Sequence, residues 1–87
     1  MPYIEEKDRP QYEADIKSLI KRLNGKPIGH INYVFSKIIW TLFDKNRSYT
    51  FGNGLIGMLA CTAKEFYRRK LAEYEDEKIE ENGDLTT

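Results

Sequence analysis

Paired cysteines, paired histidines and long apolar runs are all missing from this chain, and each absence closes a class. The single cysteine, Cys61, has no partner for a disulfide within one chain. With only one histidine, His30, the roughly four ligands of a structural zinc site are not there. No apolar stretch approaches the roughly 20 residues of a membrane span. Met1-Pro2-Tyr3-Ile4-Glu5-Glu6 is too acidic for a signal or transit peptide. A reducing cytoplasm is therefore the expected compartment. Neither a nucleophilic triad nor a phosphate-binding loop is visible, so the residues announce no reaction.

What is present fits one small helical domain, residues 1–87, with an arm at 1–7 and a tail at 85–87. A chain this short has a thin core. Its net charge is zero, but the charges are segregated. Residues 17–72 carry eleven Lys or Arg against two acids, Asp44 and Glu65. Residues 1–16 hold five acids against two bases, and residues 73–87 seven acids against one base. Such blocks neutralise one another within a fold or across a dimer, or bind an anion. Acidic flanks argue against nucleic acid, whose phosphates they repel.

Periodicity predicts three helices. The first spans about 9–24, with Asp8 as N-cap and Pro10 in the first turn. Tyr12, Ile16, Leu19, Ile20 and Leu23 form its apolar face, and Asn24-Gly25 stops it. After a short turn at Pro27-Ile28-Gly29-His30, the second runs from Ile31 to Phe43. Its residues Ile31, Val34, Phe35, Ile38, Ile39 and Leu42, widened by Tyr33, Trp40 and Phe43, leave little polar surface. Such a helix needs cover on two sides. It is expected to be the central buried element, with a second copy of the chain supplying what two other helices cannot. The third helix, capped by Ser48 or Thr50, spans about 51–80 and ends at Asn82-Gly83. Whether it continues through Ala72-Glu73 or breaks there stays open.

Gly52-Asn53-Gly54-Leu55-Ile56-Gly57 matches the glycine spacing of a dinucleotide fingerprint. That motif needs a strand before it and a second strand after it, and helices flank it here. We read Gly54, Gly57 and Cys61 instead as a small-residue groove for a neighbouring helix, with Cys61 a buried, inert thiol. Asn32, beside an apolar stretch, needs partners if it is buried.

The third helix carries the polar chemistry. Glu65 precedes Arg68 by three residues and Arg69 by four, and only one of the two arginines is expected to share its face. A guanidinium fork also suits a phosphate or carboxylate. Tyr67 and Tyr74 share a face seven residues apart. Glu73, Glu75, Asp76, Glu77, Glu80, Glu81 and Asp84 crowd the last turns against the helix dipole. Lys17, Lys21, Arg22 or Arg47 could neutralise them. Glu77, Glu81 and Asp84 alternatively have the spacing of carboxylate ligands for magnesium.

Met1-Pro2-Tyr3-Ile4, Ile31-Asn32-Tyr33-Val34, Glu65-Phe66-Tyr67-Arg68-Arg69, Tyr74-Glu75-Asp76 and Lys78 through Asn82-Gly83-Asp84 resemble a family of short prokaryotic and phage-associated proteins. It is known only as a domain of unknown function, and the resemblance implies no activity. Relatives often place proline before the Tyr-Glu-Asp, where this chain has Glu73. Glu81 and Asp84 are also similar to the last carboxylate pair of all-helical nucleoside triphosphate pyrophosphohydrolases. The upstream pair that such enzymes use has no counterpart in residues 31–64, whose one acid is Asp44.

The expectation is an all-α three-helix bundle with a long C-terminal helix, working as a homodimer and as a non-catalytic binding module without cofactor. Its candidate ligand-binding residues are Glu65, Tyr67, Arg68 and Arg69, with Tyr74, Glu75, Lys78 and Asp84 as a second cluster. An anionic small molecule or a protein is the expected partner. The rival reading is a magnesium-dependent nucleotide-processing enzyme using Glu77, Glu81 and Asp84.

Overall fold

The computed structural model describes residues 3–86. Among them every regular element is helical, with no strand. A 3-10 turn, Glu6–Asp8, leads into α1, Pro10–Leu23; α2 is Ile28–Lys45. The remainder is one long C-terminal helix of 34 residues: α3, Tyr49–Phe66, a π-turn, Tyr67–Leu71, and α4, Ala72–Asn82. The chain divides into two units, Met1–Arg47 and Ser48–Thr87. The first holds α1 and α2, and the second is the long helix alone.

The local chemistry explains most boundaries. Pro10 opens α1, where its missing N–H costs no hydrogen bond. Asp8 does not cap this helix. It sits in the 3-10 turn, and its main-chain carbonyl accepts a bond from Gln11 Nε2 at 3.0 Å. Arg9 instead occupies the N-cap, and its guanidinium donates to the Ile4 carbonyl at 3.0 and 3.1 Å. The expected arm is accordingly shorter, because Glu6 and Lys7 already belong to the turn. Met1 and Pro2 lie outside the described residues, as does Thr87 of the expected tail. At the end of α1, Gly25 takes a φ of 80°, a left-handed conformation natural to glycine.

The helix α2 begins at Ile28, earlier than the periodicity placed it. Pro27, at φ −58° and ψ 153°, holds the N-cap, and His30 N–H already bonds back to the Pro27 carbonyl at 2.9 Å. The expected turn therefore becomes the first helical turn. Ser48 caps α3, its hydroxyl accepting from Phe51 N–H at 3.0 Å. Gly83 closes α4 with a φ of 87°.

No break occurs at Ala72-Glu73. The irregularity lies one turn earlier, where Ala72 N–H bonds to the Tyr67 carbonyl five residues back. A π-turn of this kind adds a residue to the helical turn and rotates all that follows.

None of the described residues is buried. Leu19 and Leu23 of α1 and Ile31 and Val34 of α2 are half-buried. Trp40 remains 70% exposed, and α2 is not the buried centre expected of it. One short neighbour covers one face of a helix that is apolar on several. Gly54 and Gly57 face open space, and a Cβ on either would meet nothing within 4 Å. The small-residue groove is thus unfilled, and Cys61 is half-exposed instead of buried. Asn32 is exposed too, accepting from Ser36 Oγ at 3.0 Å.

Candidate functional site

The polar surface of the long helix is organised by Glu65. Arg68 Nη2 donates to both carboxylate oxygens at 3.1 Å, and Arg69 Nη1 stands 3.8 Å from Oε2. Both arginines reach the same acid, although the sequence suggested that one alone would. Positions three and four residues on lie on either side of the starting position, and guanidinium arms are long enough to close in from both. The carboxylate is half-covered, with 27% of its side chain exposed, while the two arginines stay open to solvent.

Tyr67 opens the π-turn and donates a long hydrogen bond of 3.4 Å to Glu75 Oε2. The Glu75 carboxylate raises the Tyr67 phenol above its usual pKa, with a smaller push from Asp76. A phenolate there would face two negative neighbours. Further along, the Lys78 ammonium lies 5.5 Å from the centre of the Tyr74 ring and 3.0 Å from Glu81 Oε2.

The eight candidate residues thus fall into separate contacts. Glu65, Arg68 and Arg69 come together; so do Tyr67 and Glu75, and Tyr74 and Lys78. Asp84 joins none of them. It follows the Gly83 stop, and its Oδ1 accepts from Leu85 N–H at 2.6 Å. The alternative magnesium set gains nothing from this geometry. Glu81 is tied to Lys78, Asp84 is beyond the helix, and no three acids, histidines or cysteines gather to hold a metal among the described residues.

The first unit holds a concavity that the periodicity did not single out as a site. Between α1 and α2 lies a cavity of about 720 Å³ lined by Arg22, Lys26, His30 and Tyr33 over Leu19, Leu23 and Val34. A second cavity of about 590 Å³ shares those three apolar residues and is lined further by Ile16, Ile20, Ile31, Phe35 and Ile38. By helical spacing Arg22, His30 and Tyr33 lie on one side of the line where the helices meet and Ile16, Ile20 and Phe35 on the other, so one groove is cationic and the other apolar. The legible signal was the step of four from Arg22 to Lys26 to His30 across the Asn24-Gly25 stop. That stop makes the three look unrelated until the chain is seen to double back.

No helix is long and apolar enough to cross a membrane among the described residues. No curated protein and no solved structure matches the chain. One family model does match, over residues 1–85, and through it the chain belongs to the family described as a domain of unknown function, DUF6899.

Proposed function

We propose that this protein is a non-catalytic interaction module that works as a homodimer in the cytoplasm, its helices completing a bundle only when a second copy closes on them. The observation that carries this reading is the absence of any buried side chain among the described residues of a chain that is 40% hydrophobic. Ordering a backbone costs about 1–2 kcal/mol per residue. Burial of apolar surface is the main term that offsets it. Here Ile28, Trp40, Ile56 and Phe66 all stay open to water. The second unit is a single helix, which has nothing of its own to pack against.

An anion held by Arg68 and Arg69 is the lesser part of the reading, because it would have to displace Glu65. A metal-dependent nucleotide-processing enzyme has no assembled ligand set to support it.

Sedimentation equilibrium together with thermal melts at several concentrations tests the proposal. A dimer should have twice the chain mass and a melting temperature that rises with concentration. A monomer at every concentration, melting cooperatively at one temperature, would overturn it.

A further inference from the structure

We infer that the cationic groove between α1 and α2 of one copy receives the acidic helix α4 of the other. This contact presupposes the self-association proposed above and gives it a register.

Charge complementarity points to that occupant. From Ile16 to Phe43 the chain has five cations, Lys17, Lys21, Arg22, Lys26 and Lys37, and no acid. Arg22 and Lys26 line the cationic groove, and neither side chain has an ion pair or hydrogen bond among the described residues. In α4 the balance is reversed: six acids stand against Lys78. Glu81 is used by Lys78 and Glu75 by Tyr67, while the side chains of Glu73, Asp76, Glu77 and Glu80 have no ion pair or hydrogen bond among the described residues. Unneutralised carboxylates near a helix C-terminus oppose its dipole, so basic groups from elsewhere stabilise that end.

The shapes also correspond. On a helical wheel of α4, Tyr74 and Ile79 border a face that also carries Glu75, Lys78 and Asn82, with Asp76 and Glu77 beyond its two edges. This mixed face suits a groove in which Arg22, Lys26 and His30 stand over Leu19, Leu23 and Val34. Glu73 and Glu80, on the outer side, remain in water. A second copy offers this helix at the same concentration as the groove, and the exchange is symmetric, as in an isologous dimer.

The experiment is a charge-reversal exchange read by sedimentation. One chain carries R22E with K26E, and the other carries D76K with E77K. All four positions are exposed, so helicity by circular dichroism should match the parent. Each double variant alone should associate at least tenfold more weakly than the parent. An equal mixture should recover association to within about threefold, a difference of under about 1 kcal/mol. A control with K45E and K64E, which reverses as much charge elsewhere, should associate like the parent and leave D76K with E77K unrescued. If the parent dimerises and the double variants dimerise equally well, the groove contact is wrong while self-association stands. Failure of the mixture to recover, or rescue by the control, equally overturns the contact. A monomeric parent removes both readings.

Discussion

Glu65 holds two guanidinium groups at once, and that limits what Arg68 and Arg69 can do for a ligand. Exposed pairs at three and four residues are worth only about 0.3–0.5 kcal/mol each. Glu65→Gln should therefore leave the protein folded and lower its stability by less than about 1 kcal/mol. It should also let inorganic phosphate perturb the Arg68 and Arg69 side-chain resonances, which phosphate leaves unmoved in the parent. Tyr67 offers a second measurement. Its phenol keeps its proton to a higher pH than an ordinary tyrosine because the Glu75 carboxylate disfavours the phenolate. The folded pKa exceeds the unfolded one. The resulting stabilisation is complete below the ordinary tyrosine pKa of about 10 and is lost as pH rises through the folded value. NMR titration of ring-labelled tyrosine should show one ring titrating late, and Glu75→Gln should bring it back toward the others. The pairing of Glu65 with its arginines was legible from spacing. That both arginines would engage was not, because side-chain reach is a property of the folded helix.

Among the elements, the long helix is the one whose course was clearest in advance. Periodicity placed it at about 51–80, and Ser48 and Gly83 extend it by a turn's fraction at either end. The π-turn at Tyr67–Leu71 was not legible. Tyr-Arg-Arg-Lys-Leu has no proline or glycine, and nothing in it opposes regular helix. The single chain supplies no neighbour for Gly54 and Gly57 of α3. Small residues do permit close approach, but a permission is not a contact, and the space beside Gly57 is open. Gly57→Ala should then raise the unfolding free energy by about 0.5–1 kcal/mol in denaturant melts. A fall instead would mean that another chain lies against that face. The start of α2 at Ile28 shows what a turn at Pro27-Ile28-Gly29-His30 leaves out: the fixed φ of Pro27 makes it a good entry to a helix.

For the molecule as a whole, exposure of Trp40 separates the monomer from the dimer most sharply. A surface substitution usually changes stability by no more than about 0.5 kcal/mol. Trp40→Gln should do far more if a second copy covers the ring. We expect at least a tenfold loss of association and a lower melting temperature at equal concentration, both measurable by sedimentation and circular dichroism. The sequence by itself determined which segments are helical, which turns need a left-handed glycine, and how charge is divided along the chain. Those properties depend on residues within a turn or two of one another, through capping, backbone sterics and periodicity. Only the tertiary structure decided that α1 and α2 fold back so that Arg22, Lys26 and His30 line one groove between them, and that no side chain among the described residues becomes buried. Burial depends on what lies across space from each residue, and periodicity can say only which faces need a partner.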